Sequence, residues 1–282
     1  MNYRHAFHAG NHADILKHVI LSRVITLLVA KGNPMALLDA HAGSGVYDLM
    51  GAAAGKTVEW QSGIGKMAAG FDAETEALLT PFRSVVSRLN GGGAALRYPG
   101  SPVFAADLLG PQDRIILNEL QAEEKALLEI QHKDRKGVRV TGLDATVAIK
   151  AHLPFAERRG IVLIDPPYEE KAESEKVLRM VTAGVQRQAN AVFVIWYPIV
   201  SDAFAEQFTT AIGGLKLPAS LHAQLWVREV FEGGGLAGSG VIVINAPWTL
   251  DGELAHLLPA LAGRLGQGKG GRSDVAWLVP PT

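Results

Sequence analysis

Ile161-Val162-Leu163-Ile164-Asp165-Pro166-Pro167-Tyr168 is the stretch on which the reading of this chain turns. A fully apolar strand here delivers an acid, two prolines and an aromatic to the carboxyl edge of a sheet, where open α/β folds bind their ligands. A plain turn needs neither the aspartate nor the aromatic beside its prolines, so the segment reads as a site.

Further short apolar runs lie at Met35 to Ala40, Arg114 to Asn118, Val138 to Leu143, Ala191 to Trp196, Leu225 to Val230 and Val241 to Asn245. Helical patterns separate most of them, which predicts an α/β fold with a doubly wound, mostly parallel sheet. The last two runs are too close for a helical crossover, so they are expected to form a C-terminal antiparallel hairpin. Before the first strand, Asp14 opens an amphipathic helix with Ile15, Leu16, Val19, Ile20, Val24, Leu27 and Leu28 on one face, ended by Gly32 and Pro34. From Gly51 to about Arg97 no strand pattern occurs. Asp72 can cap a helix there with Leu78, Leu79, Phe82, Val85, Val86 and Leu89 on one face. Residues 1–50 and 97–282 therefore read as one domain and residues 51–96 as a small helical insertion subdomain. Ser101 as N-cap with Pro102 as first helical residue restarts the βα rhythm, and the Gly/Ser-rich stretch Gly266 to Ser273 reads as a mobile loop.

The chain has 282 residues, 48% of them hydrophobic, with no cysteine and a formal net charge of −1. Such a length supports its own core. The absent cysteine excludes disulfides, thiolate metal sites, iron–sulfur clusters and cysteine nucleophiles, and fits a cytoplasmic location. With 27 basic against 28 acidic side chains, a polyanion would have to be met by local basic groups. The polar, His-rich start does not read as a signal peptide, and no apolar run is long enough to span a membrane.

Glycines in Leu38-Asp39-Ala40-His41-Ala42-Gly43-Ser44-Gly45 let the backbone approach a ligand and aim amide donors at it. Leu49 stands where the dehydrogenase fingerprint needs a third small residue, which counts against a nicotinamide cofactor. Glu119, ending the next strand, can accept from both ribose hydroxyls of a nucleoside. Asp144 can accept from an adenine amine while the Ala145 amide donates to a ring nitrogen. Each acid alone is often a helix cap; on successive strands they suggest a nucleoside pocket. Glu119 lies much further from Gly45 than the usual roughly twenty residues, and the helical segment accounts for the excess.

An exocyclic amine is a poor nucleophile while its lone pair is delocalised into the base. Acceptors on both of its hydrogens favour a pyramidal nitrogen: Asp165 can take one and the Pro166 carbonyl the other. Pro166 and Pro167 hold the turn rigid, and Tyr168 offers a ring on which a flipped-out base can stack, worth about 1–3 kcal/mol. Nitrogen becomes acidic as it gains a methyl, so Asp165 need only accept its proton late.

This motif resembles those of the S-adenosylmethionine-dependent methyltransferases acting on adenine N6 or cytosine N4. The opening Tyr3-Arg4-His5-Ala6-Phe7-His8-Ala9-Gly10-Asn11-His12-Ala13-Asp14-Ile15-Leu16-Lys17-His18 is more specific. Together with Asp39 to Gly45, Tyr98 to Pro102, Asp165 to Glu169, Trp196-Tyr197-Pro198 and Asn245-Ala246-Pro247-Trp248, it resembles the bacterial large-subunit (23S) ribosomal RNA adenine-N6 methyltransferases nearly end to end. The resemblance implies a Rossmann-like methyltransferase sheet with a helical insertion after the first strand. It implies S-adenosyl-L-methionine as cofactor and 23S ribosomal RNA as partner. It places His18, His41, Ser101, Glu119, Asp144, Ala145 and Asp165 at the methyl donor, with Gly43 in the glycine turn, Asp165 as proton acceptor and Tyr3 touching RNA.

Four of the nine histidines, His5, His8, His12 and His18, fall in the first eighteen residues. Without cysteine or His-Glu-x-x-His, no metal site is expected. The segment reads instead as a nucleotide-facing flap with Arg4 and Lys17 for phosphates. Basic groups at Lys133, Arg135, Lys136, Arg139, Arg158, Arg159, Lys269 and Arg272 supply local charge for RNA. Trp196 and Trp248 read as core or pocket wall. The alternatives are a DNA adenine-N6 or cytosine-N4 methyltransferase, or a nucleotide- or RNA-binding module without catalysis. No heptad run appears, and a monomer is the default.

Overall fold

In the computed structural model, which describes residues 4–170, 172–231 and 233–281, one eight-stranded sheet organises the chain. Helix α1 (His12–Val29) precedes β1 (Ala36–Asp39) and β2 (Val46–Asp48). Short helices α2 (Ala54–Thr57) and α3 (Glu59–Ser62) and the longer α4 (Ala73–Leu89) lead to β3 (Arg97–Pro99). Alternation then follows: α5 (Ser101–Leu108), β4 (Arg114–Asn118), α6 (Ala122–His132), β5 (Val138–Thr141), α7 (Ala145–His152), β6 (Gly160–Ile164), α8 (Glu173–Arg187), β7 (Val192–Ile199), α9 (Asp202–Gly213) and β8 (Ser220–Trp226). The chain closes with β9 (Gly238–Ile244), α10 (Leu250–Leu265) and β10 (Arg272–Val279). The strand order is β10-β8-β9-β7-β6-β1-β4-β5. Strands β5, β4, β1, β6 and β7 are parallel, and β8, β9 and β10 add antiparallel ladders.

Strand β6 shows why an unbroken apolar run was needed. Ile161 and Leu163 point into the cluster beneath α1, α4, α5 and α10, while Val162 and Ile164 point into the other, beneath α7, α8 and α9. From β1 the chain winds outward to β4 and β5, then returns to place β6 on the other side of β1. The reversal opens a crevice between the carboxyl ends of β1 and β6, the position at which such sheets bind ligands.

Several expectations need correction. Helix α1 is not amphipathic: it is buried all round from His12 to Ile25, because α4, α5 and α10 cover the side facing away from the sheet. Its cap is Asn11, whose side chain accepts from the amides of Ala13 and Asp14, so Asp14 is free for other partners. Ser101 is the first residue of α5 and makes no cap; Gly100 holds the cap position. Strand β8 begins at Ser220 and ends at Trp226, so it lies earlier than the expected run and shares only Leu225 and Trp226 with it. Gly266 to Ser273 is tied down, with Gln267 N–H donating to Val227 O (2.7 Å) and β10 beginning at Arg272.

The segment 51–96 is helical and is framed by a two-stranded ribbon pairing Val46 with Pro99, Tyr47 with Tyr98 and Asp48 with Arg97. Leu79, Phe82 and Val85 of α4 join the same apolar cluster as α1 and α10. Among the described residues no helix is long and apolar enough to cross a membrane.

Candidate active site

A cavity of about 490 Å³ opens at the β1/β6 crevice, within the ordinary range for small-ligand sites. Its wall brings together His18, His41, Gly43, Ser101, Glu119, Asp144, Ala145 and the whole Asp165-Pro166-Pro167-Tyr168 turn. Tyr3 lies outside the described residues. Arg4 is exposed, is not part of the wall, and faces Glu123 at 3.6 Å.

Beyond β1 the chain turns sharply at Gly43, whose φ of +63° and whose closeness to Tyr47 leave no room for a side chain: a Cβ would lie 2.2 Å from the Tyr47 hydroxyl. The Gly43 amide thereby reaches Glu119, donating to Oε2 at 2.9 Å, while Gln121 N–H donates to Oε1 at 2.7 Å. The carboxylate can accept about four bonds in all, so these two amides do not fill it. Burial pushes the Glu119 carboxyl up, and these amides pull it back. Asn118, unremarked in the sequence, latches three strand ends: its amide donates to Ala40 O and Leu143 O, and its oxygen accepts from Leu143 N–H and the Thr141 hydroxyl. An asparagine closing an apolar strand was the available signal. Asp144 caps α7 through the amides of Thr146 and Val147, and its exposed side stays on the cavity.

His18 is buried, with Nδ1 bonded to the Tyr98 hydroxyl at 2.8 Å and its ring stacked on Phe104. Its Nε2 has no partner in the structure, so either tautomer leaves one hydrogen bond for a ligand to meet. Burial, then the neighbouring Lys17 charge, holds this imidazole well below its usual range. His41 accepts the Asp165 amide at Nδ1 (3.3 Å), linking β1 to β6 across the crevice, and burial lowers it to about 4. Beneath it Asp39 is wholly buried; burial pushes its carboxyl up to about 7 against the pull of the Ser101 hydroxyl and the His41 amide.

Lys17 is the largest departure from expectation. It does not face phosphates from a flap, because it sits on the buried helix α1 with its side chain 5% exposed. Its ammonium lies 2.5 Å from Asp165 Oδ2 and 2.9 Å from Asp14 Oδ1. Burial works to lower the Lys17 pKa, yet the two carboxylates outweigh it and the net shift is upward. Asp14 in turn accepts from Gly10 N–H and pairs with His5, both at 2.9 Å. Burial would raise its carboxyl; His5 and Lys17 hold it well below the usual range. The spacing of Asp14, Lys17 and His18 on one helix face was the signal for this cluster.

Tyr168 adopts φ +50° directly after the two prolines. Its hydroxyl donates to Trp196 O (3.0 Å), and Trp196, Phe204 and Phe208 meet its ring edge-on. Trp196 lines the cavity as expected, whereas Tyr197 is wholly buried, bonded to His222 and Gln224. Trp248 is neither core nor pocket wall: it is 86% exposed, beyond the end of β9 on the opposite edge of the sheet, because Asn245 turns the chain outward at φ +56°. Among the described residues no group of three or more His, Cys, Asp or Glu side chains could hold a metal ion.

The arrangement offers an acid-rich cavity with a carboxylate at one strand end, backed by a buried cation and neighboured by carbonyl acceptors. The family model described as "Ribosomal RNA large subunit methyltransferase D, RlmJ" matches residues 32–279. Ribosomal RNA large subunit methyltransferase J of Haemophilus influenzae is 37% identical over 281 residues, and that of Escherichia coli K12 is 36% identical over 280, with 99% of each chain covered. A crystal structure of a Legionella pneumophila protein superimposes with a TM-score of 0.86 at 30% identity, covering 95% of this chain and 98% of that one. The chain belongs to the RlmJ family of ribosomal RNA large subunit methyltransferases.

Proposed function

We propose that the protein transfers a methyl group from S-adenosylmethionine to the exocyclic N6 of an adenine in 23S ribosomal RNA, with the base flipped beside Asp165 and Tyr168. The observation that carries this reading is that one cavity joins the Asp165-Pro-Pro-Tyr168 turn to Glu119, Asp144, His18 and His41. A methyl donor with an adenosyl end fits the residues present. Glu119 has free lone pairs for ribose hydroxyls, Asp144 and the Ala145 amide suit an adenine edge, and His18 Nε2 awaits a partner. Asp14, Glu119, Asp144 and Asp165 on the wall complement a cationic donor. When bound, the donor supplies a sulfonium-activated methyl group that leaves a neutral thioether behind.

The chain's own residues do the rest. Lys17 holds Oδ2 of Asp165, which leaves Oδ1 to accept one hydrogen of the amine, while the Pro166 carbonyl accepts the other. With its lone pair freed from the ring, nitrogen attacks the methyl carbon in a single displacement. The surplus proton then passes to Asp165. The prolines and the Lys17 bond fix the acceptor before the base arrives, so orientation is settled in advance.

A DNA adenine-N6 or cytosine-N4 substrate would use the same acceptors. Mass spectrometry of nucleosides from RNA and DNA incubated with the protein and labelled donor decides among them. The expected product is N6-methyladenosine from large-subunit RNA; label confined to DNA, or to cytidine, defeats the reading.

A further inference from the structure

The connection between β8 and β9, described at residues 227–231 and 233–237, lies at the carboxyl edge of the sheet: Gly238 pairs with both Trp226 and Ile199, the last rungs of their ladders. Leu236 of this turn lines the cavity beside Val200 and Pro198. At the turn's far side Phe231 is 60% exposed.

Phe231 is nevertheless held in place. The Arg228 guanidinium stacks on its ring, 5.0 Å from the centroid, and the same group donates to the carbonyls of Gly234 and Leu236. The foot of the turn is braced by the 266–271 loop. Glu229 N–H donates to Lys269 O at 3.2 Å, and Gly270, at φ +92°, lies so close that a Cβ would come within 2.5 Å of the Glu229 nitrogen. Lys66 Nζ donates to Gly266 O at 2.6 Å and anchors the brace to the helical segment. Arg272, 4.1 Å over the Trp226 ring and 3.9 Å from Asp202, places a further cation beside the turn.

An exposed aromatic stacked on an arginine, in the turn whose Leu236 lines the cavity, has the chemistry of a nucleobase platform. Removing a base from its stack exposes the faces of its neighbours, and an aromatic side chain can cover one of them. We propose that Phe231, stiffened by Arg228, stacks on a base adjacent to the flipped adenine and so holds the RNA open over the cavity. This rests on the RNA-methylation reading above, and it adds a substrate-positioning residue distant from the Asp165 turn.

The test is steady-state methylation of large-subunit RNA by the parent protein and by Phe231→Ala, Phe231→Leu and Phe231→Trp, with donor affinity measured by calorimetry. Loss of one stacking platform is expected to raise KM for RNA about tenfold in Phe231→Ala, leaving donor affinity and melting temperature at parental values. Phe231→Trp should keep the parental KM and Phe231→Leu should behave as Phe231→Ala. A Phe231→Ala variant whose KM stays within about twofold of the parent's, or a leucine that serves as well as tryptophan, overturns the proposal. If the parent itself methylates no RNA, the reading of the site fails first; if it methylates normally beside an unaffected Phe231→Ala, the stacking role alone fails.

Discussion

Lys17 Nζ lies 2.5 Å from Asp165 Oδ2 across the boundary between helix α1 and the carboxyl end of β6, and both groups are largely out of water. The same ammonium serves Asp14. One cation therefore joins the proposed proton acceptor to the buried helix behind it.

Lys17→Met strands two carboxylates in a region that burial makes costly for unpaired charge. Breaking a buried pair from one side destabilises by about 3–5 kcal/mol. The variant should melt well below the parent, and adding Asp14→Asn should recover part of the loss, since one of the stranded charges is then gone. Thermal unfolding of the single and double variants checks this; strictly additive losses would contradict a shared cation.

Asp165→Asn keeps the size of the side chain and removes the acceptor. Methyl transfer is expected to fall at least about 100-fold, while donor affinity falls far less, because Glu119, Asp144 and His18 remain in place. Single-turnover rates with labelled donor, alongside calorimetric binding, separate the two effects. A rate near the parent's would remove Asp165 from the chemistry.

Stability should weaken in mild acid. Burial lowers His12 and His41 to about 4 and His18 well below its usual value, so the folded state holds these rings neutral. Their contribution is fully present above pH 6.5 and is lost as pH falls toward 4, at up to about 1.4 kcal/mol per pH unit for each ring. Asp39 runs the other way: its folded value of about 7 makes the parent less stable as pH rises from about 4 to 7. Asp39→Asn should therefore raise the melting temperature more at pH 8 than at pH 5. Melting curves across this range test both signs.

Trp248, on the edge of the sheet opposite the cavity, should be dispensable for transfer. Trp248→Ala is expected to change stability by no more than about 0.5 kcal/mol, as surface substitutions usually do, and to leave RNA methylation at the parental rate. A lowered rate would mean that the amino edge also meets RNA.

What could be read in the sequence was whatever is written in local chemistry. Asp165-Pro166-Pro167-Tyr168 after an apolar strand, and Glu119 and Asp144 after two more, announce the carboxyl edge by residue type alone, and one cavity holds all of them. The glycine turn at Gly43 was equally plain. What depends on distant partners was not legible. Helix α1 looked one-sided because its polar residues Lys17, His18 and Arg23 are buried against partners far along the chain: Asp165, Tyr98 and Glu253. Strand β10 was missed because Arg272 to Val279 alternates only weakly at an edge, and its place comes from pairing with β8. Trp248 misled for the opposite reason: a large apolar residue after a buried strand carries no sign that a left-handed Asn245 will turn it outward.

The burial of α1 also has a kinetic meaning. Past the cavity wall, from Val19 to Ile25, the helix is buried between α4, α5 and α10 on one side and β7 and β9 on the other. Hydrogen exchange along Val19 to Ile25 should be among the slowest in the protein, while the short 3-10 turn at His5–Phe7 exchanges early. The proposed acceptor at Asp165 is thus fastened, through Lys17, to a helix whose far half should be among the last to open.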